Sequence, residues 1–195
     1  MSNRKNVLCL VAAGLLMGAT AGTASAIETA SGTISVSTIS PGEFQYDLTL
    51  TNTSTDGSDI GTFWYSWTLA PSQDYMEAKP TNITRPTNWA ANITGTDNAA
   101  TGNAIQFVST NASSLLTPGQ TDDFSFDSTE PLSQMTGPST YSPNLNETTS
   151  FVYHSTPISD AGTEFTLTPV SVPEPVSASV IAIGGAGLLM RRRRA

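Results

Sequence analysis

The sequence predicts an all-β protein built as an antiparallel β-sandwich, and three observations predict it. The central part of the 195-residue chain has no long segment with a helical period. It has several short runs in which apolar and polar residues alternate. Between those runs lie Gly, Pro, Asn and Asp, the residues that make turns. Short strands with turn chemistry between them build a two-layer β fold. An apolar stretch at each end sets the rest of the organisation. Residues 1–26 are expected to be a signal peptide, 27–170 the sandwich ectodomain, and 171–195 a tail with one short transmembrane helix.

The strands follow in order. Residues 32–39 place Ile34 and Val36 on one face. In 43–53, Phe44, Tyr46, Leu48 and Leu50 alternate with Gln45, Asp47, Thr49 and Thr51, which marks a strand with one buried face. A polar loop around Asp56-Gly57 follows. In 60–69, Phe63, Tyr65, Trp67 and Leu69 share one side and Trp64 takes the other. Pro71, Pro80 and Pro86 make 71–89 an irregular connection, with one helical turn expected near 74–79. Strands are expected at 89–94 and 104–110, joined by a turn region at 95–102. A further strand at 121–128 points Phe124 and Phe126 inward and Asp123, Ser125 and Asp127 outward. Residues 130–146 read as a second Pro-rich connection, and 150–155 and 163–170 close the set.

The N-terminal end has a basic start at Arg4 and Lys5 and an uncharged core at 7–17. The small-x-small site Ala24-Ser25-Ala26 predicts cleavage by signal peptidase between Ala26 and Ile27, hence export. Cys9 has no lipobox before it and leaves with this segment. At the other end, residues 176–190 carry no charge and reach roughly 22 Å as a helix, against a hydrocarbon core of about 30 Å. Arg191, Arg192, Arg193 and Arg194 then stop passage and stay cytoplasmic, which leaves the body outside the inner membrane. Pro173 and Pro175 keep the segment before the helix extended and hold Glu174 accessible between them.

Those three parts, Val172-Pro173-Glu174-Pro175, the glycine-containing apolar run 176–190 and the terminal arginine cluster, closely resemble the PEP-CTERM sorting signal of bacteria. The resemblance implies handling by an exosortase that cuts near Pro173, Glu174 and Pro175. It also implies a Gram-negative-type producer of exopolysaccharide or biofilm matrix. The protein would pass through a membrane-anchored intermediate to the cell surface or extracellular matrix. Ile60-Gly61-Thr62-Phe63-Trp64-Tyr65-Ser66-Trp67, then Pro71, Asp74, Pro86 and Trp89, resemble an ectodomain type found with such tails, as do Ile105-Gln106-Phe107, Leu116-Thr117-Pro118-Gly119-Gln120 and Phe124-Ser125-Phe126. That ectodomain type carries no assigned activity.

Processing sharpens the charge. The whole chain has a formal net charge of −8, but all sixteen acidic residues lie between Glu28 and Glu174. Only Lys79 and Arg85 oppose them there, a formal net of −14. Phosphate recognition needs Lys and Arg, so nucleic acid is excluded as a partner. With Cys9 removed, no disulfide, thiolate ligand or cysteine nucleophile remains.

The sequence predicts no enzyme and no cofactor. His154 is the only histidine and falls on a strand, where a surface or hydrogen-bonded role is expected over that of a catalytic base. Asp122, Asp123 and Asp127, or Asp56 and Asp59, are the carboxylates from which a glycosidase pair would have to come. Asp56-Gly57-Ser58-Asp59 also offers oxygen ligands to calcium, but it lacks the alternating acidic pattern of an EF-hand, and a solvated turn is the expected reading. Trp64 and Trp89 are the candidate ligand contacts, because aromatic rings stack on sugars. Trp64 is the sharper of the two, since it points away from the core-facing residues of its strand. The expected role is therefore a structural or exopolysaccharide-associated matrix protein. The alternative is a carbohydrate-binding module for the producer's own polymer, with a polysaccharide hydrolase third.

Overall fold

The computed structural model describes residues 28–69, 73–95, 102–155 and 160–171. The signal peptide (Ala24 and Ala26 included) and the tail from Val172 through Arg194 lie outside the described residues. Among the described residues no helix is long and apolar enough to cross a membrane.

The strands in chain order are β1 (Ala30–Ser40), β2 (Glu43–Asn52), β3 (Thr62–Tyr65), β4 (Trp67–Thr68), β5 (Gln73–Asp74), β6 (Thr81–Thr84), β7 (Trp89–Gly95), β8 (Asn103–Ser109) and β9 (Thr121–Ser128). After the one-turn helix α1 (Leu132–Met135) come β10 (Pro138–Ser139), β11 (Ser142–Asn146), β12 (Thr149–Tyr153), β13 (Thr163–Thr166) and β14 (Thr168–Val170). Ten of them form two five-stranded sheets, and β4 with β5 and β10 with β11 make two short two-stranded pairs. The first five-stranded sheet runs β14-β1-β2-β9-β6 and the second β13-β12-β3-β8-β7. The chain is all-β, as expected, and all but one of the strand pairs within these sheets are antiparallel.

The β1–β2 hairpin closes through Pro41-Gly42. Proline presets φ at the first turn position and Gly42 takes φ +83° at the second. Strand β2 then pairs on both sides, with β1 and with β9. Its alternation does what the sequence predicts: Tyr46, Leu48 and Leu50 are buried opposite Phe126, Phe124 and Asp122 of β9. The second sheet presents Phe63, Tyr65, Ile105, Phe107 and Val152 to the same core. Phe124 bridges the layers, its ring centroid 4.6 Å from Phe107, 5.4 Å from Phe63 and 5.4 Å from Trp89. Phe126 lies 5.1 Å from Tyr65 and 5.2 Å from Tyr46.

Four expectations are corrected. The run 60–69 does not continue as one strand. Ser66 takes φ +58°, which breaks the alternation and turns Trp67 onto the outer face of the second sheet, beside Trp64. Leu69 is exposed rather than inward. The run 163–170 is also two strands. It changes sheet at buried Leu167, so β13 pairs with β12 while β14 lies parallel to β1. No helical turn forms near 74–79; β5 and a bridge from Met76 to Asn103 occupy that stretch. Finally, the irregular connection 71–89 contains β6, which pairs with β9 at the edge of the first sheet through a bulge. Asn82 supplies φ +48° there and Ile83 packs on the core.

Ser66 is fully buried and its Oγ has no hydrogen-bond partner. A left-handed residue with a side chain costs about 1–2 kcal/mol relative to glycine. Ser66→Gly is expected to raise the urea unfolding midpoint by the equivalent of about 1 kcal/mol, and Ser66→Val to lower it by at least as much. A Gly variant no more stable than the parent would show that the break at this position is unstrained.

Candidate functional site

The two tryptophans singled out as ligand contacts are both covered. Trp89 is 3% exposed and lies in the sandwich core, edge-on to Phe124. It offers no ring face to a sugar, because the first residue of β7 points inward. Trp64 does lie on the outer face of its sheet, but that face is not open: the residue is 8% exposed. Trp67 stacks flat on it, with centroids 4.0 Å apart and planes 4° from parallel. Phe151 meets Trp67 edge-on at 5.6 Å, and Ala104 and Tyr153 complete this second apolar cluster. The lid comes from neighbouring loops. Gly162 sits so close that an added Cβ would lie 2.4 Å from Phe151 and 2.5 Å from Tyr153. Trp64 Nε1 donates to Thr94 Oγ1 at 3.1 Å, and that hydroxyl donates to Asp74 Oδ1 at 2.7 Å. Burial raises the Asp74 pKa, and the Thr94 hydroxyl partly offsets this. Among the described residues the exposed large apolar side chains are Ile39, Leu69, Ile93 and Val170, all aliphatic.

The Asp56-Gly57-Ser58-Asp59 loop is a side-chain-closed turn. Asp56 Oδ1 accepts from the Ser58 N–H at 3.0 Å and from its hydroxyl at 2.7 Å, while Gly57 takes φ +90°. His154 is exposed, with Nδ1 3.1 Å from the Asp59 carbonyl oxygen. Its backbone N–H donates to Asp160 Oδ2 at 3.0 Å. Among the described residues no three His, Cys, Asp or Glu side chains are grouped to hold a metal ion.

Asp123 and Asp127 project from the same face of β9. Four residues of strand separate them by about 13 Å, longer than the roughly 5–9.5 Å spacing of glycosidase carboxyl pairs. Asp122 takes the other face, beside the core. Its pKa is raised by burial and then by Asp123. The outer face of the first sheet is instead a polar ladder. Thr49 Oγ1 donates to Asp123 Oδ1 at 3.0 Å, the Thr51 and Thr121 hydroxyls lie 2.8 Å apart, and Asn82 Nδ2 donates to Asp127 Oδ2 at 2.7 Å. A shallow depression of about 340 Å³ opens on it, lined by Asp47, Thr84, Asp123, Phe124 and Ser125. Hydroxyls and carboxylates held in register can accept and donate hydrogen bonds to a polar polymer. This is the candidate functional surface.

Sequence reasoning missed the pair Glu130 and Glu147. Each is nearly or fully buried, 5% and 1% exposed. Glu130 follows β9. Its Oε1 accepts from the Ala78 N–H, and its carbonyl accepts from Tyr46 Oη at 2.5 Å. Glu147 lies in the turn before β12, its N–H donating to the Met135 carbonyl at 3.0 Å. As two ionised carboxylates they would leave both Oε2 atoms without a donor. One proton between the side chains satisfies both. Burial, then Glu130, pushes the Glu147 carboxyl well above the usual carboxylate range, and burial raises Glu130 as well. Neither residue sits in an apolar repeat, so no sequence signal announces the burial.

No protein-family profile matches the chain, and no curated protein matches it. Solved structures match in part. An exo-β-N-acetylglucosaminidase of family GH20 from Vibrio harveyi is 9% identical with a TM-score of 0.41, over 75% of this chain and 19% of that one. The chain thus spans about a fifth of that enzyme. A biomass-sensor module of Clostridium thermocellum resembling a family 3 carbohydrate-binding module is 13% identical, TM-score 0.40, over 77% and 99% of the two chains. A family 3 module of Hungateiclostridium clariflavum is 11% identical, TM-score 0.39, over 76% and 99%. At these scores the likeness carries no argument about family or function.

A carboxyl whose pKa is raised on folding holds its proton in the native state after the unfolded chain has lost it. Its stabilisation is complete below the unfolded value, about 4.3, and is lost as pH rises toward the folded value. Urea midpoints are therefore expected to fall between pH 5 and pH 8. Glu147→Gln, which keeps a donor toward Glu130, should flatten that fall. An unchanged slope in the variant would contradict the shared proton.

Proposed function

We propose that the chain is an exported acidic β-sandwich cargo, routed by its PEP-CTERM-like tail through the inner membrane to the cell surface or extracellular polymer. Signal peptidase and an exosortase are its processing partners. The observation that carries this reading is the ordered set Val172-Pro173-Glu174-Pro175, uncharged 176–190 and Arg191 to Arg194 at the C-terminal end. The body supports it. A net of −14 keeps the surface solvated and non-sticky toward anionic polymers and lipids. In this reading the domain's role is structural.

A second reading is favoured by the outer face of the first sheet. The Asp47, Thr84, Asp123 and Ser125 depression offers the hydrogen-bonding groups that a carbohydrate-binding module uses. In that reading the contact surface is this face, not Trp64 or Trp89, which are both covered.

Transplanting residues 172–195 onto an unrelated exported reporter tests the first reading in the producing bacterium. The reporter is expected to appear in the extracellular polymer, and its retention in the periplasm would overturn the route. Sedimentation of the purified protein with that polymer tests the second. Retention that Asp47→Ala with Asp123→Ala weakens at least threefold supports binding at this face, and unaltered or absent retention rejects it.

A further inference from the structure

The two five-stranded sheets end in β14, β6, β13 and β7, and the first three of these edges are guarded. Strand β14 is 3 residues long with Pro169 at its centre, which has no N–H to donate. Strand β13 is 4 residues long and shows an exposed Glu164. Strand β6 is also 4 residues long, and its register with β9 breaks where Asn82 takes φ +48°. The part of β1 that β14 leaves open ends in a register shift between Thr38 and Ser40. Short length, proline, charge and bulges are the features that stop an edge from pairing with another chain. Strand β7 has none of them. Its 7 residues are uncharged and keep one unbroken register with β8.

The hydrogen bonds at its start fix which backbone groups face outward. In an antiparallel strand the N–H and C=O of one residue point to the same side, and the side alternates along the chain. The Asn88 carbonyl accepts from the Thr110 N–H at 2.8 Å, so Asn88 faces the β8 side. Trp89 faces away from it. Its N–H donates to the Pro86 carbonyl at 3.2 Å, and its carbonyl accepts from Arg85 Nε at 2.5 Å. By alternation Ala90, Asn92 and Thr94 bond to β8, while Ala91 and Ile93 turn their N–H and C=O outward. Among the described residues, the outward groups of Ala91 and Ile93 meet no hydrogen-bond partner. Asn92 and Ile93 are exposed beside them.

We propose that this edge pairs with the same edge of a second copy, antiparallel about a two-fold axis at Asn92, and joins the second sheets of two molecules into one. Ala91 then meets Ile93 of the other copy, and Ile93 meets its Ala91. Each pair exchanges N–H···O=C bonds in both directions, about four bonds in all. A slip of one residue would set outward groups against inward ones, so the register is determined. The occupant is a second copy because the open groups are symmetric about Asn92, as an isologous contact requires. The charges agree. Arg85 is held at the Trp89 end of the strand and Asp74 at the Thr94 end, so antiparallel approach sets each beside its opposite. The uncharged strand also lets two bodies of formal net −14 meet without facing acids. Two strands bury less than the roughly 1,200 Å² of a stable interface, so the dimer is weak and forms where the protein is concentrated.

Sedimentation velocity of the full exported protein, from about 10 µM to about 1 mM, tests the association. The sedimenting mass is expected to rise from one copy toward two. Over the same range the Ala91 and Ile93 amides should slow in hydrogen exchange by roughly tenfold, while those of Ala90, Asn92 and Thr94, already bonded to β8, keep their rates. Ile93→Lys, which places a charge on an exposed position of the edge, should weaken association by at least about tenfold. One copy at every concentration overturns the proposal. So does a dimer whose Ala91 and Ile93 amides exchange as fast as in dilute protein, or one that folded Ile93→Lys leaves unweakened. Should the variant fail to fold, the exchange rates of the natural protein decide.

Discussion

The packing of Phe124 between Phe63, Phe107 and Trp89 is the contact on which the rest of the structure depends. The body contains no cysteine, so no covalent staple joins the sheets. Cohesion has to come from apolar area, and aromatic side chains supply the most of it per residue. Phe124 reaches from the first sheet into rings of β3, β7 and β8, and two residues further along the same strand Phe126 repeats the contact with Tyr65. This inner face commits every second residue of β2 and β9. The residues left over, Asp47, Thr49, Asp123, Ser125 and Asp127, face water and form the polar ladder. The acidic outer surface is therefore the complement of the aromatic core, imposed by the period of the strands.

The two outer faces have different fates. On the first sheet hydroxyls and carboxylates hydrogen-bond across strands and remain accessible. On the second, Trp64 and Trp67 would make a sticky patch, and β4–β5 and the 160–164 segment cover it. The chain thus covers its outward aromatic rings and displays the acids of β2 and β9. A solvated acidic face of this kind favours solubility.

The alternating runs of β2 and β9 and their inward faces were legible because a half-buried antiparallel strand writes its burial into a period of two. Trp67 was not, because one left-handed residue, Ser66, reverses the phase and nothing in Tyr65-Ser66-Trp67 marks it. The sheet change at Leu167 was hidden for a similar reason: both halves of 163–170 look like one strand, and only tertiary pairing separates them. Trp89 has the ring type that stacks on sugars, but as the first residue of β7 it faces the core. Glu130, Glu147 and Glu28 are buried against the tendency of their side chains, so composition argues the wrong way for all three. The candidate surface was half legible. Asp123, Ser125 and Asp127 were expected outward, while Thr84 joined them only through β6, a strand too short and too proline-flanked to read.

To the proposed delivery route the domain contributes a cysteine-free, acidic body. The most direct test is the intact mass of the protein recovered from the extracellular polymer of the producing cell. The proposed route yields a chain that begins at Ile27 and ends near Pro175. A chain confined to the membrane fraction with Arg191, Arg192, Arg193 and Arg194 still attached would contradict it.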